Sequence, residues 1–114
     1  MNGTYLRFYV HENTKHHHRL LYEWLLEHAR TIGVHGGSAF RAIAGFGRHG
    51  VLHEQHFFEL AGDLTVKVEF ILTDEMADRL LESIRHENVN VIYARIPASF
   101  DVIGEHKAAQ SRLP

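Results

Sequence analysis

The stretch from Gly45 to Arg48 reads Gly-Phe-Gly-Arg, and its residue types suit the binding of an anion. Glycine permits backbone conformations in which several N–H groups point at one ligand, and an arginine guanidinium can form paired hydrogen bonds with a phosphate. The same residues also suit a strand that ends in a tight turn. From the residues alone the turn is the simpler interpretation, and the ligand role is the hypothesis weighed against it.

Histidine is the second residue type that could carry chemistry, with 11 copies among 114 residues. His16, His17 and His18 lie at the predicted start of a helix. Positive charge opposes the helix dipole there, and a bound anion or an acidic partner would offset that cost. Adjacent histidines point in different directions on a helix, so these three are not expected to bind one metal ion. We interpret them as a solvated helix start.

A second group of histidines comprises His49, His53 and His56, in a loop. In an extended chain His49 and His53 share a face and His56 points away. Such loops from neighbouring subunits could bind zinc or copper, so a histidine-based metal-binding or metal-responsive protein is the alternative function. We assign no metal ligands, because three histidines without a rigid scaffold are a weak signal. His28, on the apolar stripe of the first helix, is predicted to be hydrogen-bonded at the edge of the core.

Enzyme chemistry is not indicated. The chain has no cysteine, so it has no thiolate nucleophile and no disulfide. Ser38 follows two glycines but lacks the glycine two positions later that a nucleophile elbow needs. Asp74 and Glu75 are explained by a helix cap. We predict no catalytic residues and no enzymatic activity.

Composition narrows the class further. Twelve basic and 14 acidic residues give a net charge of −2 with neutral histidines, which argues against nucleic-acid binding. The length suits one domain, 1–114. No apolar run approaches a membrane span, and the first residues do not resemble a signal peptide. We therefore expect a cytoplasmic protein.

Hydrophobic periodicity predicts the elements that must position these residues. Strands are expected at 5–10, 38–46, 64–73 and 89–96, with a weaker one at 51–60, and helices at 16–32 and from 74 onward. Asn13 or Thr14 is expected to cap the first helix and Gly33 to end it. Thr73 and Asp74 are expected to cap the second.

The order of these elements predicts the fold class. It is α+β, a ferredoxin-like split βαβ (β-α-β-β-α-β) with an antiparallel sheet and two helices on one face. Pro97 is expected to stop the last strand, and residues 98–114 to form an irregular tail. Tyr5, Tyr9 and Ile71 lie on the strand face opposite the core stripes, and an exposed apolar sheet face predicts oligomerisation.

Two segments resemble PII signalling proteins. The run 31–38, Thr-Ile-Gly-Val-His-Gly-Gly-Ser, continues to Gly-Phe-Gly-Arg-His-Gly at 45–50, and Val-Lys-Val-Glu follows at 66–69. A closer resemblance is to a PII-like group known as domain of unknown function 190. The motifs that carry it are Leu-Arg-Phe-Tyr-Val at 6–10, Leu-Tyr-Glu at 21–23, Phe-Arg-Ala-Ile-Ala-Gly-Phe-Gly at 40–47, His53, and Asp-Leu-Thr-Val at 63–66. The match covers roughly residues 5–96.

This resemblance implies a regulatory trimer with ligand clefts between subunits, and it makes the alternative function a metal-binding or metal-responsive trimer. On that basis Gly45, Phe46, Gly47 and Arg48 are predicted to bind a small anionic ligand, with an adenine nucleotide as one candidate. The loop from His49 to Leu60 would report occupancy to a partner protein, for example a membrane transporter.

The chain also departs from PII proteins. Its loop at 48–60 is short and contains no tyrosine, and the segment 85–90 lacks the glycines and lysine of their phosphate-binding loop. These differences argue against ATP and 2-oxoglutarate sensing of the PII kind, and no cofactor is assigned.

Overall fold

The computed structural model describes residues 1–45 and 64–104. The main elements within these ranges are β1 (Asn2–His11), α1 (Leu21–Thr31), β4 (Ser38–Arg41), β5 (Thr65–Leu72), α2 (Asp74–Arg85) and β6 (Ile92–Ser99), and a separate hairpin is formed by β2 (Lys15–His16) and β3 (Arg19–Leu20). Four strands form one antiparallel sheet in the order β4-β5-β1-β6. Both helices contribute to a core on one face of this sheet. The ferredoxin-like split βαβ prediction is confirmed.

The centre of the sheet is the pair β1 and β5, whose alternation is the strongest in the sequence. They pair in continuous register from Thr4 with Leu72 to His11 with Thr65. Leu6, Phe8 and Val68 are fully buried beneath the helices. Removing these side chains from water is the main stabilising contribution of this face.

The second helix begins where the sequence predicts. The Thr73 hydroxyl accepts a hydrogen bond from the Met76 backbone N–H, at 3.2 Å, and so satisfies one of the unpaired donors of the first turn. The buried face of α2 consists of Ala77, Leu80, Leu81 and Ile84. Its spacing of three to four residues matches the helical period.

The predicted start of the first helix is wrong. Helix α1 begins at Leu21, not at His16, and neither Asn13 nor Thr14 caps it through a side chain. The Leu21 N–H instead donates to the Thr14 backbone carbonyl, at 2.7 Å. Residues 15–20 form the β2–β3 hairpin, in which His16 pairs with Arg19.

The turn of this hairpin explains why the helix cannot extend backward. His17 and His18 have φ angles of 53° and 66°, in the left-handed region. A two-residue hairpin turn requires positive φ at both central positions, and histidine visits this region more often than most residues. Two such residues in succession exclude a right-handed helix.

The end of α1 is as predicted. Gly33 has a φ of 108°, its N–H donates to the Arg30 carbonyl, and the Val34 N–H donates to the Ala29 carbonyl. This pair of hydrogen bonds is a Schellman motif, which needs a left-handed residue after the helix. Val34 is buried there and directs the chain toward β4.

Several strand ends differ from prediction. β1 begins at Asn2 rather than at residue 5, and β6 begins at Ile92 rather than at residue 89. β4 ends at Arg41 rather than at residue 46, because its pairing partner β5 begins at Thr65. β6 continues through Pro97 to Ser99, so the predicted stop at Pro97 is wrong. Proline is tolerated because β6 is an edge strand of this sheet, and the outer side of an edge strand has no neighbouring strand that needs its N–H groups. No helix in the described residues is long and apolar enough to cross a membrane.

Candidate functional site

One end of the sheet is where the predicted ligand segment leaves the fold. β1 ends there at His11 and β4 at Arg41, while β5 begins at Thr65 and β6 at Ile92. His11 pairs with Thr65, which places these strand ends side by side. The chain departs after Gly45 and returns at residue 64, so we call this edge the loop end of the sheet.

A groove of about 540 Å³ lies at the loop end. Tyr9 and Thr65 belong to its sheet side, Thr14 and Leu21 flank the β2–β3 hairpin, and Asn90 belongs to the connection between α2 and β6. This volume falls within the range of small-molecule sites, roughly 300–1,000 Å³. Three separate parts of the chain therefore contribute to one concave surface.

The described lining of the groove is partly polar and partly apolar, and it includes His11. Thr14, Thr65 and Asn90 supply hydroxyl and amide groups that can donate or accept hydrogen bonds, and Leu21 and Val91 supply apolar surface. Among the residues described there, the groove contains no lysine or arginine. Apart from His11, the described lining offers no basic side chain to a bound anion, so a lysine or arginine would have to come from another part of the protein.

An ion pair fixes the backbone beside this groove. Arg41 approaches Glu12 at 2.9 Å, and the Glu12 side chain is 15% exposed. The Glu12 N–H donates to the Leu64 carbonyl, and the Ala42 N–H donates to the Thr65 carbonyl. These contacts tie the ends of β1, β4 and β5 together at the points from which residues 46–63 depart and return.

Of the four predicted ligand residues, the described ranges include Gly45. It is half-buried, and a Cβ added there would meet open space. Phe46, Gly47 and Arg48 lie outside the described residues, as do His49, His53 and His56 and the strand predicted at 51–60. The ligand role of Gly45 to Arg48 and the metal role of the loop histidines both stay predictions.

The sheet face that points away from the helices, here called the open face, carries a polar network at its centre. The Tyr5 hydroxyl donates to a Glu69 carboxylate oxygen at 2.6 Å, and the Lys67 ammonium approaches the same oxygen at 3.0 Å. Burial alone would raise the pKa of Glu69. The hydrogen bonds from Tyr5 and Lys67 outweigh it, and the pKa is lowered. Arg7 lies over the Tyr5 ring, 4.6 Å from its centroid.

Aliphatic side chains surround this network on the open face. On β5, Ile71 lies opposite Tyr5 of β1. On β6, Ile96 lies opposite Tyr5 and Ile92 lies opposite Tyr9. Ile71, Ile92 and Ile96 are 43%, 47% and 38% exposed. The open apolar face predicted from the sequence is present, and it is larger than predicted because β6 contributes two isoleucines.

The histidines of the first cluster are arranged differently from the helical prediction. His16 and His17 both point their Nε2 atoms at one oxygen of Glu87, at 3.0 and 3.3 Å. Sequence reasoning missed this contact because the partners are 70 and 71 residues apart and no local pattern joins them. The prediction for His28 is confirmed, since its Nε2 is hydrogen-bonded to the Ser83 hydroxyl at 2.7 Å.

Relatives of this chain share most of its length. A UPF0166 protein of Aquifex aeolicus is 35% identical over 96 residues, covering 77% of this chain and 91% of the relative. A UPF0166 protein of Methanocaldococcus jannaschii is 29% identical over 76 residues, covering 67% of this chain and 69% of the relative.

Solved structures with the same fold are PII-like. A protein of Thermus thermophilus, described as a candidate PII-like signalling protein, has a TM-score of 0.57 at 19% identity and covers 85% of this chain and 87% of its own. CPII of Thiomonas intermedia is a nitrogen regulatory PII-like protein that was solved with ADP, AMP and bicarbonate. Its TM-score is 0.51 at 20% identity, and the match covers 86% of this chain and 89% of CPII. These likenesses establish the fold.

A family model matches most of the chain. The model of DUF190, described as uncharacterised ACR, COG1993, matches residues 3–92. These residues run from β1 to the first residue of β6 and include the motifs on which the resemblance was based. The chain belongs to the DUF190 family and has a PII-like fold.

Proposed function

We propose that this chain is a PII-like regulatory module without catalytic activity. In this proposal it forms a homotrimer, binds a small anionic ligand such as an adenine nucleotide in clefts between subunits, and acts on a partner protein such as a membrane transporter. The observation that carries the proposal is the groove at the loop end of a PII-like sheet.

The position of the groove supports ligand binding. Its described lining offers hydroxyl and amide groups beside apolar surface, a combination that suits an adenine and a ribose. The predicted anion-binding segment, Gly45 to Arg48, starts at the same end of the sheet and would supply an arginine, which the described lining lacks. The fold neighbour CPII was solved with ADP, AMP and bicarbonate, which makes these the first ligands to test.

The open face supports assembly. Three partly exposed isoleucines border a network of tyrosine, arginine, glutamate and lysine that is largely satisfied within one subunit. Such a face is too apolar to be a typical solvent surface, and burial against other copies would remove it from water. Assembly through this face would leave the loop end free to form clefts at its borders.

The connectivity supports a signalling role for the loop. Residues 46–63 join the described chain at Gly45 and Leu64, and Leu64 is next to Thr65, which lines the groove. A ligand in the groove would contact Thr65, beside the point where residues 46–63 return to the sheet. It would bias these residues only if it bound one of their conformations better than another.

Thermal shift with defined nucleotides tests the proposal. A ligand present at 100 times its Kd stabilises the native state by about 2.7 kcal/mol, which for a domain of this size raises Tm by roughly 10 °C. We expect ADP or AMP, with and without bicarbonate, to raise Tm, and Arg48→Ala to abolish the shift. Arg79→Ala, which removes an exposed arginine of α2, is the matched control and should keep it. No shift with any nucleotide at millimolar concentration would contradict the proposal.

A further inference from the structure

A cluster of three metal-ligating side chains lies where the β2–β3 hairpin meets the segment after α2. His16, His17 and Glu87 each offer one ligand atom, and these three atoms all lie within 4.8 Å of one another. The Nε2 atoms of the two histidines are 3.0 and 3.3 Å from the same carboxylate oxygen. The ring centroids of the two imidazoles are 4.0 Å apart.

The hairpin turn is what brings two adjacent histidines to one point. The left-handed φ of 53° at His17 turns its side chain back toward His16, which neither a helix nor a regular strand would do. The His16 ring is held against Trp24, with centroids 4.6 Å apart, and its side chain is 11% exposed. Two left-handed non-glycine residues cost about 1–3 kcal/mol each, so the surrounding contacts hold this geometry in place.

The carboxylate is equally well positioned. The Glu87 N–H donates to the Ile84 carbonyl, and the Glu87 carbonyl accepts from the Val89 N–H, both at 2.9 Å. The side chain is therefore carried on backbone that is fixed on both sides. Hydrogen bonds from His16 and then His17 lower the pKa of the Glu87 carboxyl.

The distances match those of a tetrahedral metal site. Zinc binds histidine nitrogen at about 2.0–2.1 Å and carboxylate oxygen at about 2.0–2.2 Å, which places neighbouring tetrahedral ligands about 3.4 Å apart. The Nε2–oxygen separations of 3.0 and 3.3 Å are close to this value, and all three ligand atoms lie within 4.8 Å of one another. Two imidazoles and one carboxylate suit zinc and its first-row neighbours, whereas calcium and magnesium prefer oxygen ligands alone.

We propose that His16, His17 and Glu87 bind a divalent transition metal ion, Zn²⁺ in particular, through three protein ligands and one water. The His17 side chain is 68% exposed, so the fourth position faces solvent and the ion has a path of entry. In the bound state each imidazole would be neutral, would coordinate through the Nε2 lone pair and would carry its one hydrogen on Nδ1. A ring that starts with its hydrogen on Nε2 releases that proton to water and takes one up from water at Nδ1.

The site has a structural consequence that is independent of nucleotide binding. Thr14 and Leu21, at the two ends of the hairpin, and Asn90, three residues after Glu87, all line the groove at the loop end. A metal ion on His16, His17 and Glu87 would join these two walls by coordinate bonds instead of hydrogen bonds. The ion would fix the spacing of the walls whether or not the groove holds a ligand.

Zinc titration of metal-free protein tests this proposal by calorimetry. The background variant carries His49→Gln, His53→Gln and His56→Gln, so that zinc bound by the loop histidines is not counted. We expect one Zn²⁺ per chain. We also expect His17→Asn and Glu87→Gln to weaken zinc binding about tenfold or more. Removing a residue that only hydrogen-bonds to a metal ligand already weakens metal binding by about tenfold, and removing a ligand should cost at least as much.

The control variant is His18→Asn. His17 and His18 are both exposed and both left-handed, and asparagine tolerates that conformation, so the two variants have the same effect on the turn. The contact to Glu87 belongs to His17. Equal zinc affinity in His17→Asn and His18→Asn, or no zinc binding by the background variant, would overturn the proposal.

A spectroscopic readout locates the ion. Trp24 is the one tryptophan of the chain and contacts the His16 ring. Co²⁺ bound at this site should quench Trp24 fluorescence and show the visible absorption of tetrahedral coordination, and excess Zn²⁺ should reverse both. Quenching that persists in Glu87→Gln at the same Co²⁺ concentration would place the ion elsewhere and count against the site.

Discussion

Replacing Ile96 by aspartate tests whether the open face is the assembly surface. Ile96 is 38% exposed, and full burial of an isoleucine side chain is worth about 1.5–3 kcal/mol, so its remaining exposed part would contribute about 0.6–1.1 kcal/mol per subunit at an interface. In a trimer this loss occurs three times and amounts to about 2–3 kcal/mol. It corresponds to a change of about 30-fold to 140-fold in the trimer dissociation constant, and this is a lower limit because the carboxylate must also be desolvated.

Sedimentation equilibrium across a range of protein concentrations measures this change. Wild-type protein should sediment as a trimer, and Ile96→Asp should dissociate at concentrations where the wild type does not. The control is Ile103→Asp, the same substitution at a side chain that is fully exposed and lies outside the strands and helices. Far-UV circular dichroism checks that both variants fold. If Ile96→Asp and Ile103→Asp dissociate at the same concentration, the open face is not the interface.

Two further predictions concern stability within one subunit. Thr73→Ala removes the cap of α2 and should lower the free energy of unfolding by about 0.5–2 kcal/mol in urea, and an unchanged midpoint would contradict the capping role. Tyr5→Phe removes a hydrogen bond to Glu69 and should cost about 1–2 kcal/mol at neutral pH. Because the pKa of Glu69 is lowered on folding, its contribution is present above the ordinary value of 4.5 and is lost as the pH falls through the folded value. The difference between Tyr5→Phe and wild type should therefore shrink in acid, and a constant difference would count against this assignment.

Much of the fold could be predicted because its signals are local. The alternation in β1 and β5 records which side of the sheet each residue faces, and Thr73 and Gly33 mark helix ends through hydrogen bonds to their own neighbours. The hairpin at 15–20 could not be predicted in the same way. It lacks the glycine or asparagine typical of its turn, and nothing in its residue types separates it from the helix that follows.

The candidate sites were less predictable, because each joins distant parts of the chain. The groove combines strand ends with the residues before β6, and Glu87 meets two histidines that stand 70 and 71 positions earlier. Sequence reasoning treated adjacent histidines as divergent on the assumption of a helix. Once the turn replaces the helix, the same residues converge.

Pro97 has a consequence for how copies of this chain can meet. β6 is an outer strand, and a proline within it has no N–H to offer to a further strand. A strand from another molecule that tried to extend the sheet would lose a ladder hydrogen bond at that position. The edge is thereby discouraged from open-ended strand addition, which leads to fibres, while the broad face of the sheet stays available for a closed assembly of fixed size.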